Sequence, residues 1–359
     1  MIKDIKVITY NILSPHLCNP TEFQEYSQED LDPNHRKNKI ILLIDEWTSQ
    51  EDPPIICLQE VPYSWKGLLE KLFLNRKYNF FTMSYGYKKN GYFGVSTAVP
   101  QSYIIEKIEY LPIGDNIETL PADLISSITA TKTAPSFLDL FISRYVDKSS
   151  EEEVIKELIT NAKARPNFTI KLTINASPTQ HNQPTQQNLP TQQNLPTQPT
   201  QPTQTFILYN YHMPCAFKTP IIQTLHLDAL KKLIFQHLEI PTILATDFNL
   251  TPNSIGYIYF TTAFLPQEHS NYLPPRPHST LTLNSTYKEH HGKEPSFTCF
   301  SNTQWGGEFM DTLDYIFISP NLKTISSNLL INSIQKCPNK INPSDHLPLQ
   351  STIQFRNID

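Results

Sequence analysis

Eight polar residues stand at or near the ends of apolar runs, where an unpaired charge or amide is costly. Asn11 follows Val7-Ile-Thr-Tyr10, and Glu60 follows Ile55-Ile-Cys-Leu-Gln59. His212 closes Tyr209-Asn-Tyr211, while Asp247 and Asn249 follow Ile243-Leu-Ala-Thr246. Asp314 lies inside Leu313–Ile318, and Asp345-His346 precedes the last apolar run. Several such ends on one sheet edge would place these groups in a common cleft. Asp247 and Asn249 are two apart, so an extended chain sends both side chains to one face. Asp345 and His346 are adjacent and are expected to point different ways, one toward a metal and the other toward a phosphate. Carboxylates with an amide and imidazoles, and no thiolate pair, favour a hard ion, Mg²⁺ or Mn²⁺. Such an ion suits metal-assisted attack on a phosphodiester. Taken singly, each residue has a plainer reading: Asn11 as a strand-end cap, His212 as a structural histidine, Glu60 as a solvated carboxylate.

The elements that must position these groups alternate between strand and helix. Ile5–Tyr10, Pro54–Leu58, Tyr92–Val99, Thr242–Ala245, Leu313–Ile318 and Leu347–Phe355 read as strands. His35–Thr48 and Ser64–Leu74 read as helices, the second with Trp65, Leu68, Leu69 and Leu72 on one face. Ser150–Asn161 reads as a charged helix, and Ile221–Leu238 as an amphipathic one with Ile222, Leu225, Ala229, Leu233 and Ile234 inward. Mixed strands and helices of this kind predict an α/β sandwich. Arg36, Lys37, Asn38 and Lys39 read as a solvated helix face. Cys215, three residues after His212, reads as a small buried apolar side chain.

Composition narrows the class. The chain has 359 residues, 39 % of them apolar and 18 % charged, as in an ordinary globular protein. Its 29 basic and 34 acidic residues leave a formal charge of −5, which argues against a protein that coats DNA electrostatically but not against an enzyme gripping one strand locally. Five scattered cysteines form no Cys-x-x-Cys pair, which argues against a disulfide framework and against a cysteine-ligated zinc site. They fit a reducing compartment, the cytoplasm or else the nucleus. The N-terminal Met1–Lys6 carries charges where a signal peptide needs an apolar core, and no apolar run is long enough to span a bilayer, so no membrane association is expected. With 9 glycines and neither a G-x-G-x-x-G nor a P-loop pattern, the sequence argues against a glycine-rich phosphate loop.

One segment differs from the rest. Pro-Thr-Gln recurs from Pro178 to Gln204, without a charged residue between Asn175 and Phe217. Residues 176–204 are expected to be a disordered or extended low-complexity insert within a single domain spanning 1–359. The flanks, Asn167–Ile174 and Thr205–Tyr211, read as two strands of a hairpin whose tip the insert has stretched. Beside this spacer reading stands a docking motif for a protein partner.

Six short motifs carry a family resemblance: Thr9-Tyr-Asn-Ile12, Leu58-Gln-Glu-Val61, Tyr211-His-Met213, Asp247-Phe-Asn249, Thr312-Leu-Asp-Tyr-Ile316 and Ser344-Asp-His-Leu-Pro348. In this order they resemble the endonuclease/exonuclease/phosphatase superfamily. The resemblance implies a four-layered, DNase-I-like α/β sandwich of two packed mixed sheets flanked by helices. It implies Glu60 as ligand of a divalent cation, Asp345 as a nearby or second ligand, and Asn11 as support for metal and phosphate. Asp247 would orient or deprotonate the attacking water, and Asn249 would hold that water and a phosphate oxygen. His212 and His346 would stabilise charge on phosphorus, with Asp314 keeping His346 protonated. The pieces Glu294–Thr298, Thr312–Phe317 and Pro343–Pro348, with His35-Arg36, resemble the deadenylase and nocturnin-like branch. That branch implies a 3′–5′ exoribonuclease acting on single-stranded RNA and releasing 5′-nucleotides. The alternatives are an AP-type DNA nuclease or a phosphatase on the same scaffold, and, from another class, a non-catalytic protein that recruits partners through the insert.

Overall fold

Along the first strand, apolar residues alternate between two cores rather than between core and water. Ile5 and Val7 enter one buried cluster, Ile8 and Tyr10 another. A strand covered on both faces lies between two layers. The computed structural model describes residues 4–118, 151–176, 204–264, 266, 273, 275–304, 306–331 and 333–356. Its strands are β1 (Ile5–Asn11), β2 (Ile55–Val61), β3 (Tyr78–Ser84), β4 (Gly94–Pro100), β5 (Ile104–Pro112), β6 (Phe168–Asn175) and β7 (Thr205–His212). They continue with β8 (Thr242–Asp247), β9 (Asn284–Ser285), β10 (Cys299–Thr303), β11 (Gly307–Asp311), β12 (Asp314–Ile318), β13 (Leu322–Leu329) and β14 (Leu349–Phe355). The main helices are α1 (Pro33–Thr48), α2 (Lys66–Asn75), α3 (Glu151–Lys163), α4 (Pro220–Phe235), α5 (Ile255–Thr262) and α6 (Thr286–His291).

Two six-stranded sheets form, in the orders β13-β14-β1-β2-β4-β3 and β5-β6-β7-β8-β12-β9, with β10-β11 as a separate ribbon. Between the sheets, Ile5, Val7, Ile55 and Cys57 meet Leu172, Leu208, Ile243 and Ile316. The outer face of the first sheet packs on α1 and α2 through Ile40, Ile44, Leu69 and Phe73. The outer face of the second packs on α4 and α5 through Leu225, Ala229, Tyr257 and Phe260. The result is the expected four-layered α/β sandwich.

Local chemistry sets the helix ends and corrects three expectations. Helix α1 starts at Pro33 because the Asp32 side chain accepts the His35 amide hydrogen and proline suits the first turn. From Trp65, just before α2, the buried stripe runs on to Leu69 and Phe73 at four-residue spacing, so Leu68 falls outside it, 42 % exposed. Helix α4 is not amphipathic. Its five expected residues are buried, but so are Gln223, His226, Asp228 and Lys231, because α3 and the turn at Pro277–Thr280 cover its other sides. Nor is Arg36 on a solvated face; it is fully buried, for reasons given below.

Strands β6 and β7 form the expected hairpin, paired from Thr169 opposite Tyr211 to Asn175 opposite Thr205. The ladder extends one step further, with the Ala176 amide donating to the Gln204 carbonyl at 3.0 Å. Residues 177–203, with the Pro-Thr-Gln repeats, lie outside the described residues. Among the described residues no helix is long and apolar enough to cross a membrane.

Candidate active site

Strand register builds half of the site. His212 is paired opposite Asp247 across parallel β7 and β8, and Asp247 opposite Asp314 across antiparallel β8 and β12. Three chemically active side chains thus stand in a row across three strand ends. His346, in the loop before β14, is fastened by a single antiparallel bridge to Cys299. Its Nδ1 meets Asp314 Oδ2 at 2.7 Å, and its Nε2 lies 3.9 Å from Asp247 Oδ2. His212 Nε2 lies 3.4 Å from the same Asp247 oxygen. Thr298 Oγ1 donates to Asp314 Oδ2 at 2.7 Å and accepts the Leu313 and Asp314 amide hydrogens. Burial opposes a charge on His346, but the Asp314 carboxylate, with other acidic neighbours, raises its pKa well above the ordinary imidazole range. The pairing with Asp314 favours the protonated ring.

The first sheet supplies the other half. Asn11 Nδ2 donates to Asp247 Oδ2 at 2.8 Å and to Glu60 Oε1 at 3.2 Å, joining carboxylates from different sheets. Asn11 Oδ1 accepts the Leu13 amide hydrogen at 2.9 Å. Glu60 sits on a bulge between Leu58 and Val61 and has φ 55°, a left-handed backbone that a non-glycine residue adopts only under constraint. Its Oε2 accepts the Ser14 amide hydrogen at 3.0 Å. Across the bulge, Gly94 is obligatory, since a Cβ there would lie 1.8 Å from the Met83 carbonyl oxygen.

Two expectations about side-chain direction are corrected. The strand ends at Asp247, and Asn249 has φ 47°, so extended geometry does not align the pair. A turn does: the Asn249 amide donates to Asp247 Oδ1 at 3.1 Å and the Asn249 side chain to the Met213 carbonyl at 2.9 Å. Both residues line the same cleft. Asp345 and His346 do not diverge. Their segment is a bend rather than a strand, and Asp345 Oδ1 comes within 4.0 Å of His346 Nε2.

The cleft over these groups has a volume of about 1330 Å³ and contains Glu60, His212, Asp247, Asn249, Asp345 and His346 in its lining. Tyr85, Phe93 and Phe309 add aromatic surface. Cys215, expected to be buried, is instead exposed on this lining, because the chain leaves β7 there and turns over the cleft. Asp314 adjoins the site but is wholly buried behind His346. Among the described residues two groups bring three metal-ligating side chains together: Asp247, Asp314 and His346, and Cys299, Asp345 and His346. The oxygen donors of Glu60 and Asp345 suit a hard divalent ion. Burial pushes the Asp345 carboxyl up to about 6; the His346 charge opposes this and the Glu60 charge adds to it. Such an excess of crowded carboxylate is what a bound cation relieves.

Sequence reasoning missed the groups behind the site. Arg36 donates from Nη2 to the Ile12 and Leu13 carbonyls at 2.8 and 2.6 Å, and from Nε to the Pro343 carbonyl at 2.6 Å. It thereby clamps the loop after Asn11 to the loop carrying Asp345 and His346. Ser344 Oγ donates to the Asn11 carbonyl at 2.6 Å, and the Tyr10 hydroxyl to Asn342 at 2.8 Å. Asn342 in turn donates to the His346 carbonyl at 2.6 Å. Gln59 and Asn210 bond across the two sheets at 2.9 Å. The available signals were polarity inside apolar strands, at Gln59 and Asn210, and the His35-Arg36 pair, which carried the branch resemblance but was given no role.

A carboxylate–imidazole row, facing carboxylates from a second sheet across a cleft, defines a hydrolase of phosphate esters on a two-sheet α/β sandwich. The chain belongs to the Endonuclease/Exonuclease/phosphatase family, whose model matches residues 8–346. Mouse nocturnin is 33 % identical over 130 residues, a match covering 34 % of this chain and 26 % of that protein's length. Among solved structures, ANGEL2, described as a 2′,3′-cyclic phosphatase and bound to adenosine-2′,3′-vanadate, superposes with a TM-score of 0.64 at 17 % identity, covering 99 % of this chain and 96 % of that one. The human nocturnin catalytic domain with bound sulfate gives 0.58 at 19 % identity, covering 99 % and 96 %. Zebrafish (D. rerio) TDP2 with a single-strand DNA product gives 0.56 at 13 % identity, covering 98 % and 100 %. At these identities the structural likeness speaks for the fold.

Proposed function

We propose that this chain is a Mg²⁺- or Mn²⁺-dependent phosphodiesterase that removes nucleotides from the 3′ end of single-stranded RNA, in the manner of a deadenylase. The observation that carries the reading is His346, paired to Asp314 at 2.7 Å and standing with His212 around one Asp247 oxygen. Glu60 and Asp345 would hold the ion, and Asn11 would keep Glu60 and Asp247 in register beside it. Bound there, the ion would supply Lewis-acid stabilisation of charge on a phosphate oxygen. Asp247 orients water and accepts its proton, while Asn249 fixes the approach through its turn. His346 and His212 donate toward the phosphate oxygens as negative charge grows. Asp314 keeps His346 charged throughout. The similarity to nocturnin supports an RNA substrate. The five free cysteines support a reducing, cytoplasmic setting, and residues 176–204 form an insert in a single domain.

The likeness to ANGEL2 favours one further reading, hydrolysis of a terminal 2′,3′-cyclic phosphate. One panel separates the readings: labelled poly(A), mixed-sequence RNA, RNA ending in a cyclic phosphate, duplex DNA and a duplex with an abasic site, each with Mg²⁺ and with a chelator. Stepwise shortening of RNA that stops on chelation is the expected outcome. Opening of the cyclic phosphate without shortening would select the second reading, and cleavage of DNA alone would reject both.

A further inference from the structure

Cys299, Asp345 and His346 arrive on two segments that touch through one bridge, Cys299 opposite His346. One ligating atom from each lies within 4.8 Å of the other two, and all three residues line the cleft. Asp345 Oδ1 and His346 Nε2 are 4.0 Å apart. His346 Nδ1 is occupied by Asp314 at 2.7 Å, which leaves Nε2 for a ligand. A carboxylate behind an imidazole is the arrangement that orients a histidine toward zinc.

We propose that Cys299, Asp345 and His346 form an inhibitory site for a thiophilic divalent ion, Zn²⁺ or Cd²⁺. The donor set is one sulfur, one nitrogen and one oxygen, with solvent from the cleft as the fourth ligand. Zinc accepts this set in tetrahedral geometry, with bonds of about 2.0–2.3 Å. Donors around such an ion stand roughly 3.3–3.8 Å apart. The trio therefore needs only a small contraction. Mg²⁺ prefers six oxygens and gains little from a thiolate and an imidazole, so the trio discriminates by ligand type. Binding releases the Cys299 thiol proton and the Nε2 proton of His346 to solvent; no electron moves. Two consequences follow for the cleft. His346 Nε2 is taken up by the ion and can no longer donate toward a phosphate, and Asp345 is drawn away from the hard-ion position beside Glu60. The competing group of Asp247, Asp314 and His346 is a weaker candidate, because its Asp314–His346 contact is already a hydrogen bond.

Co²⁺ titrated into the full chain reads the site directly, since a cobalt–thiolate bond absorbs strongly in the near ultraviolet. Wild type and Cys215→Ser are expected to show the band, and Cys299→Ser and Cys299→Ala to lack it. Zn²⁺ titrated against saturating Mg²⁺ should bind at least ~10-fold more weakly to the Cys299 variants, the loss of one of three protein ligands. Zn²⁺ should also inhibit wild type and Cys215→Ser at concentrations that spare Cys299→Ser. No cobalt–thiolate band in wild type overturns the proposal without recourse to any variant. A band that survives Cys299→Ser, or disappears with Cys215→Ser, overturns it as well. The spectral measurement involves no substrate, so its failure is distinct from failure of the exoribonuclease reading.

Discussion

The protein buries two ionic clusters, one beside α4 and one at the cleft, and they are built on different principles. Under α4, Asp228 accepts from His278 at 2.9 Å and from Arg276 at 2.6 Å. Beside it, Lys231 donates to the Tyr259 and Ser279 carbonyls at 3.1 and 2.9 Å and lies over the Tyr259 ring. No buried polar atom of that cluster lacks a partner. The cleft cluster is different. His212 Nδ1 and Asp314 Oδ1 are buried without a hydrogen-bond partner, and Asp345 is held as a carboxyl of raised pKa. A closed set of hydrogen bonds resists change, whereas an incomplete one keeps binding free energy in reserve for a ligand. The closed α4 cluster is built as structure, and the open cleft cluster, on the proposed function, as the reactive one.

That contrast makes distinct predictions. Asp228→Ala strands His278 and leaves Arg276 with Glu118 alone, at 3.3 Å, and should cost about 3–5 kcal/mol of unfolding free energy in a denaturant titration. Turnover per folded molecule should stay within a few-fold. Asp247→Asn, Glu60→Gln and His346→Ala should do the reverse. Each is expected to lower kcat/KM by at least ~10²-fold, while urea midpoints move little. If Asp228→Ala abolishes turnover in fully folded protein, the division fails. The third effect is smaller and depends on pH. The folded-state pKa of Asp345 is raised above its unfolded value, so the metal-free protein gains stability as pH falls below about 6. That gain is lost as pH rises through the same value. Asp345→Asn should therefore stabilise the metal-free protein at pH 7, by at most about 3 kcal/mol, and flatten the pH dependence of its thermal midpoint. Added Mg²⁺ should stabilise wild type more than this variant. The smallest effect belongs to the insert: deletion of residues 178–204 should leave turnover within a few-fold, because the β6–β7 ladder from Thr169 opposite Tyr211 to Asn175 opposite Thr205 lies outside the deletion.

Much of the cleft could be read from the chain because its residues break a rule locally. A polar group at the end of an apolar strand is conspicuous; Asn11, Glu60, His212 and Asp247 stand at the far ends of theirs and Asp314 at the start of its own. The layered architecture followed from strands too apolar to face water. What escaped notice depends on distant atoms. Arg36 looks like any helix-surface cation, and its acceptors are carbonyls of Ile12, Leu13 and Pro343, invisible to a helical period. Asp228 and Lys231 looked like the wet side of α4 because the turn that covers them comes some fifty positions later. The convergence of Asp345 and His346 escaped for a different reason. Period-two reasoning holds only while the backbone is extended, and theirs bends.

Strand β1 lies between β2 and β14, so the beginning of the fold is completed by its end. A chain with β1 and β2 in place but without the segment before β14 has Asn11 and Glu60 but neither Asp345 nor His346, and its Arg36 has no Pro343 to hold. The two halves of the cleft therefore come together only when β14 docks beside β1.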